Sequence, residues 1–366
     1  MNLRKNLGRV ASTIVATALL ASVATVPAFA ADAEVNFVKT IDMTNAQGAS
    51  VPDVTYSYTV ASGTAVTGDP DRNIPDIKAG NANDLTIANV DFGPTDTVTN
   101  NKVTKEAEVT FAENAYTAPG IYRYTVTEQD PTDPDITYDT DTYTLDVYVI
   151  NSNGTLEVAN AIWMRGTPVT PTLDENGNAV YGEDEDAAKA NKIAGDEDQY
   201  KTYSLTVTKE VEGTMADAGR EYDFQIDLSG LDNGAKVTNG ENAVTDTDND
   251  GSISVSGIKL VPNDESKKSV TITGIPSDAL YTIVESLDES EGYTVTIKNG
   301  SELTCTDDKY STTEATQGKQ NQSVTIVNKR DAVSPTGIAM NVAPYALLVV
   351  VAVAGCFVFL RKRNED

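Results

Sequence analysis

Residues 122–130 read YRYTVTEQD. Alternating aromatic and β-branched residues over such a length make a strand pattern, and successive side chains in a strand point to opposite faces. Tyr122, Tyr124, Val126 and Glu128 therefore share one face, and Arg123, Thr125 and Thr127 share the other. The first face is apolar except for Glu128, so the strand carries a carboxylate toward the interior. Burying an ionised group is costly unless it is paired. The partner of Glu128 has to be found elsewhere in the chain.

The same alternation recurs in VNFVKTI (35–41), DVTYSYTV (53–60), EAEVTFA (106–112) and TYTLDVYVI (142–150). A second series follows in YSLTVTKEV (203–211), YDFQIDL (222–228), SVTITGI (269–275), LYTIVES (280–286), YTVTIKN (293–299) and QSVTIVNKR (322–330). Short strands separated by Gly, Asn, Asp and Pro clusters, with almost no helical periodicity, predict an all-β protein built of sandwiches. Each series opens with a lysine-bearing strand, VNFVK or LTVTK, and later reaches a glutamate-bearing one, YTVTE or YTIVE. That repetition predicts two tandem copies of one domain, over 31–200 and 201–332. The acidic stretch 174–198 lies near their boundary and reads as a solvated loop for most of its length.

Strand parity then places more than one polar group inside. Lys39 shares a face with Val35, Phe37 and Ile41, and Lys209 with Leu205, Val207 and Val211. Glu285 shares one with Tyr281 and Ile283, and Asn328 with Val324 and Ile326. One reading is a buried Lys–Glu ion pair with a hydrogen-bonded Asn. The other is chemical. Desolvation drives a buried lysine toward its free amine and a buried glutamic acid toward its protonated form. A neutral amine is a nucleophile. Set against a carboxamide carbon, with the protonated Glu polarising the carbonyl and moving protons, it forms a side-chain amide and releases ammonia. No cofactor or metal is required.

Composition narrows the function classes. The formal charge is −28 and histidine is absent, which argues against a nucleic-acid partner and removes the commonest metal ligand and general base. With neither a nucleophile motif nor a phosphate loop, a secreted enzyme has no support. Arg4, Lys5 and Arg9 precede an apolar run ending at Ala28-Phe29-Ala30, a leader of 1–30 for export. Residues 342–360 are apolar and long enough for a helix of roughly 28 Å, a membrane span, and Arg361, Lys362 and Arg363 hold its end in the cytoplasm. Of the two cysteines, Cys356 lies in that span, so Cys305 has no disulfide partner in the exported part and bracing must come from elsewhere.

LTVTKEVEG, YRYTVTEQDP with the following ITYDTDTYTLDVYV, and VTIVNKRD resemble the FctA-type isopeptide linker domains of streptococcal pilins. The two-domain order and the tail PTGIAMNVAPYALLVVVAVAG resemble the backbone pilins of group A streptococcus. The resemblance implies Ig-like or Cna-B-like sandwiches and an isopeptide bond between Lys209 and Asn328, with Glu285 as the catalytic acid. For the first domain it implies Lys39 as donor and Glu128 as proton relay, but the family's aromatic-x-Asn before the next domain is missing. Counting back from LTVTK puts Asp198 at the acceptor position, which would release water, with Asn191 as runner-up. Asn151 fits the parity of Leu145, Val147 and Val149 but falls in the turn NSNG.

The tail 333–366 resembles a sortase sorting signal, with VSPTG at 333–337, the span and the basic end. A sortase would cleave after Thr336, before Gly337, and pass the acyl group to an amine. In the resembled pilins that amine is a lysine shortly before the last strand of the first domain, and Lys192 and Lys189 occupy that region. These features imply a cell-wall-anchored structural subunit joined head to tail with other copies and with minor or tip pilins. They imply a pilus-class sortase as partner and contact with the membrane only before sorting. The competing reading is a singly anchored adhesin or minor pilin that binds a host protein or glycan. Residues 246–251, DTDNDG, imitate a calcium loop, but Gly257 stands where the twelfth-position Glu belongs, and a hairpin turn is the better reading. Trp163 reads as core.

Overall fold

The computed structural model describes residues 35–69, 75–168, 172–173, 179–180 and 192–332. The leader 1–30, Asn191, Lys189, the VSPTG motif with Thr336 and Gly337, and the span 342–360 all lie outside the described residues.

Strands build two sandwiches in succession. In the first, a four-stranded sheet holds the opening strand Phe37–Asn45 between Lys102–Ala107 and Gly195–Lys201, with Ile136–Thr137 at its edge. A larger sheet faces it, ordered Lys192–Ile193, Thr155–Arg165, Thr142–Ser152, Gly120–Gln129, Val54–Ser62 and Val90–Phe92. The second sandwich opens with Tyr203–Glu212, which lies between Ser269–Ile275 and the closing strand Gln322–Lys329. Its other sheet centres on Tyr222–Ser229, between Ile253–Leu260 and Leu280–Ser286. Among the described residues no strand ladder crosses from one sandwich to the other, and the change of sheet falls at Thr202.

Each core follows from alternation. Phe37, Tyr56, Tyr124, Val126, Tyr143, Leu145 and Trp163 pack in the first domain. Leu205, Val207, Phe224, Ile226, Ile283 and Ile326 pack in the second. Trp163 is core, as expected, and its indole N–H donates to the Val35 carbonyl at 3.1 Å. The expected strands form with ends shifted by a few residues at most, except that 106–112 is divided between two strands with a break at Glu108. Several strands escaped the sequence reading, the longest being Thr155–Arg165, Gly195–Lys201 and Ile253–Leu260. The second takes residues 195–198 out of the stretch 174–198 that reads mostly as a solvated loop, because in GDEDQYK the residues Asp196, Asp198 and Tyr200 are buried in alternation. Arg123 also departs from simple parity. It lies on the outer face of its strand yet is buried, paired in two hydrogen bonds of 2.7 Å with Asp146, beside Gly63 and Gly80, whose N–H groups donate to its carbonyl.

The loop 246–251 joins Asn242–Thr245 in one sheet to Ile253–Leu260 in the other, so it is an inter-sheet crossing and not the expected hairpin turn. The buried Asp246 carboxylate accepts N–H bonds from Gly234, Asp248, Asp250 and Gly251, and those from Gly234, Gly251 and Asp250 hold it below the usual carboxylate range.

The two sandwiches meet through backbone-rich contacts. Asp232 accepts the Asp53 N–H at 2.8 Å, Thr238 donates to the Gly48 carbonyl at 2.9 Å, and Asp135 accepts the Ser277 N–H at 2.5 Å. A cleft of about 230 Å³ at this junction is lined by Asp53, Asp133, Asp232 and Asp278.

Candidate functional site

The opening and closing strands of each domain run parallel side by side, and their registers correspond. In the second domain Lys209 lies opposite Ile326, and Val211 opposite Asn328. In the first, Lys39 lies opposite Asp196, and Ile41 opposite Asp198. Asn328 and Asp198 thus occupy the same place, one inward position beyond the partner of the lysine. The glutamate arrives from the facing sheet, on Leu280–Ser286 or Gly120–Gln129. The sheet pairing therefore brings together residues 76 and 89 apart in sequence.

In the second domain Lys209 Nζ lies 3.1 Å from Glu285 Oε2, and the Asn328 amide donates to Glu285 Oε1 at 2.6 Å. Lys209 and Asn328 have no solvent exposure, and the Tyr222 ring centroid lies 4.7 Å from Nζ. Burial pulls the Lys209 ammonium down to about 8 despite the attraction of Glu285, and pushes the Glu285 carboxyl up. Asn328 Oδ1 is a buried acceptor with no donor. Rotating the carboxamide end for end exchanges its oxygen and nitrogen, and a protonated Glu285 then donates to Oδ1, satisfying the orphan and polarising the carbonyl. The cluster thereby holds an amine drawn toward neutrality and an acyl group, both in contact with an acid drawn toward its protonated form.

The first domain is built on the same plan with more charge. Lys39 Nζ lies 2.9 Å from Glu128 Oε1, 2.8 Å from Asp196 Oδ2 and 2.9 Å from Asp198 Oδ2, and all four side chains are fully buried. The Tyr56 ring centroid stands 4.3 Å from Nζ. Burial pulls the Lys39 ammonium down, but Glu128, Asp198 and Asp196 together reverse this and hold it above its ordinary value. Burial lifts Glu128 to about 7 and also raises Asp198. Asp196 goes the other way, because its contacts with Lys39 outweigh burial and keep it below the usual range. Its second oxygen accepts from Arg165 Nη2 at 3.0 Å. Asp198 Oδ1 accepts the Asp139 N–H at 2.9 Å. The three carboxylates bring oxygens within 4.8 Å of one another, a spacing that suits a divalent cation, and the Lys39 ammonium supplies the positive charge to that triangle.

Of the residues singled out in the sequence, Lys39, Glu128 and Asp198 come together, as do Lys209, Glu285 and Asn328. Asp196 was missed, although its parity with Asp198 in GDED was a visible signal once that segment was read as a strand. Asn151 is exposed at the end of the Thr142–Ser152 strand, where it accepts the Gly154 N–H, and it takes no part in the cluster. Lys192 is exposed and pairs opposite Met164 at the edge of the larger sheet, three residues before the closing strand.

Comparison with known proteins follows the same division. Residues 35–171 match the FctA family, described as a Spy0128-like isopeptide containing domain, and residues 203–330 match a domain family of unknown function, DUF7601. A pilin of Streptococcus pyogenes serotype M1 is 27% identical over 354 residues, covering 91% of each chain. The pilus tip adhesin Cpa of Streptococcus pyogenes is 32% identical over 137 residues, 37% of this chain and 18% of the adhesin. The crystal structure of the major pilin from Streptococcus pyogenes covers 82% of this chain and 99% of its own, at 20% identity and a TM-score of 0.54. The T3.2 major pilin of the same species gives 22% identity, 82% and 99% coverage, and a TM-score of 0.56. The chain thus has the all-β, two-sandwich fold of the Streptococcus pyogenes major pilins, and its residues 35–171 are similar to the Spy0128-like isopeptide containing domain family.

Proposed function

We propose that the chain is the shaft subunit of a covalently assembled pilus on a Gram-positive cell surface, each of its domains, 31–200 and 201–332, braced by a self-generated side-chain amide. One observation carries the reading. In both domains a buried lysine on the opening strand has an acyl-bearing side chain one inward position beyond its partner on the closing strand and a glutamate from the facing sheet within 3.1 Å of the amine; Asp198 lies 2.9 Å from Lys39, and Glu285 bridges Lys209 and Asn328.

In the second domain the neutral Lys209 amine attacks Asn328 Cγ. Glu285 hydrogen-bonds the developing oxyanion, takes one proton from the amine and returns one to the leaving nitrogen, so an amide forms and ammonia departs with no net change at Glu285. In the first domain Lys39 joins Asp198. Two protons of the Lys39 ammonium leave with one carboxylate oxygen as water, relayed by Glu128, and the Asp139 N–H stabilises the charge on Oδ1. Each reaction happens once, so the protein is a product of its own chemistry and not a turnover enzyme.

Because donor and acceptor lie on the first and last strands of a domain, pulling force crosses a covalent bond before it can separate hydrogen-bonded strands. Assembly follows from the tail. A pilus-class sortase cleaves between Thr336 and Gly337 and transfers Thr336 to Lys192 of another copy, with Lys189 the other candidate. Repetition gives a head-to-tail fibre anchored to the wall after export through the leader, with membrane contact ending at sorting. Alignment over 91% of a pilin, against 18% of a tip adhesin, favours a shaft subunit over a singly anchored adhesin or minor pilin.

Intact-mass analysis of the exported chain tests the bracing. The parent should lack one ammonia and one water relative to its sequence, and Glu285→Ala and Glu128→Ala should each restore one of them. A covalent ladder in wall extracts, lost on substitution of Lys192 or Lys189, tests the assembly. A single wall-linked species would leave the adhesin reading instead.

A further inference from the structure

The two clusters differ in one respect that the shared plan does not require. Opposite Lys209 the closing strand carries Ile326, whereas opposite Lys39 it carries Asp196. Asp196 is fully buried and both its oxygens are engaged, Oδ2 by Lys39 at 2.8 Å and Oδ1 by Arg165 at 3.0 Å. Arg165 is half-exposed and also reaches Asp139 and Asp141, so it is fixed from outside the core. A carboxylate clamped between two cations stays ionised, and an ionised carboxylate is a poor acyl acceptor. Asp198 faces the same lysine, but its other oxygen meets a backbone N–H and no second cation. Adjacent inward positions of one strand therefore hold two aspartates of opposite character.

We propose that Asp196, anchored by Arg165, is a charge-setting brake on the first-domain cross-link: a fixed counter-ion that pairs with the Lys39 ammonium, is not consumed, and slows bond formation relative to the second domain. The inference rests on the reading that Lys39 condenses with Asp198.

The reactive arrangement has a neutral Lys39 amine with Glu128 and Asp198 both protonated. It has the same number of protons as the resting arrangement, an ammonium beside an ionised Asp198, with one proton moved from nitrogen to Asp198. Asp196 stabilises the ammonium and so disfavours that transfer. The remaining groups facing Nζ are Glu128 and the ring of Tyr56 from the other sheet and Asp198 from the same one. No arginine faces Nζ on the side away from Asp196 among the described residues. In the second domain, with Ile326 in this place, the lysine is drawn down to about 8. Lys39 instead stays above its ordinary value. Asp196 is one of the three carboxylates that hold it there, after Glu128 and Asp198.

The test follows linkage in time after a synthesis pulse of the whole chain, by peptide mapping at several pH values, in the parent, Asp196→Asn and Asp196→Ile. The Lys209–Asn328 bond in the same molecules reports that the chain has folded. The expected result is a first-domain bond that forms more slowly than the second in the parent and at least about tenfold faster in both variants. The fall in rate as Glu128 loses its proton should begin at lower pH in the variants, since Asp196 is among the charges pushing Glu128 up. A merely structural role would leave that midpoint in place. Equal first-domain rates in parent and variants overturn the proposal. So does ammonia loss at residue 196 in Asp196→Asn, which would make 196 the acceptor position. No bond to Lys39 in any of the three removes the cross-link itself and overturns both this inference and the reading beneath it.

Discussion

Replacing Glu285 by Gln keeps the shape of the second cluster while removing its proton relay. Lys209 and Asn328 should then stay separate. Their amide closes a loop of about 120 residues, and the chain-entropy relation for cross-links assigns such a loop ~5 kcal/mol of stabilisation by restricting the unfolded chain. The unlinked variant also leaves Lys209 buried without its carboxylate, which adds to the loss. For a domain of this size ~5 kcal/mol corresponds to a fall of roughly 20 °C in the melting temperature. The assay is calorimetry of parent and Glu285→Gln, with intact mass on the same samples. The variant should be heavier than expected for a linked chain by one ammonia, and its lower-melting transition should move to the second domain. Were both proteins to show the same state of linkage and the same transition, the assignment of Glu285 and the entropic argument would both be refuted.

Asp198→Asn should keep the first-domain bond but change the leaving group, so that mass spectrometry finds two ammonias lost instead of one ammonia and one water. Gly195→Ala should weaken first-domain linkage as measured by peptide mapping. A Cβ there would lie 1.9 Å from the Val38 carbonyl oxygen, so the closing strand must move away from the opening one and carry Asp198 with it. At the junction, burial pushes the Asp133 carboxyl up to about 6, with Asp135, Asp232 and Asp278 adding like charge. A raised carboxyl makes its stabilising contribution when protonated, so that contribution is present below about pH 4 and is lost as pH rises through 6. Asp133→Asn should flatten this part of the stability curve between pH 4 and 7, read by thermal melts.

What could be read from the chain and what could not divide along a physical line. Side-chain parity is local, since every second residue shares a face. YRYTVTE, LTVTK and VTIVN were therefore enough to put Glu128, Lys209 and Asn328 inside, and the spaced repetition of such strands was enough for two all-β sandwiches. Partnership is not local. Which strand lies beside which, and in what register, is set by packing two sheets over a common core, and only that packing aligned Ile41 with Asp198 and Val211 with Asn328. The segment GDEDQYK shows the boundary most clearly. Its composition is that of a solvated loop, because water is the cheapest place for carboxylates. It becomes a buried strand only because Lys39, Arg165 and the Asp139 N–H, contributed by distant parts of the chain, take the place of that water.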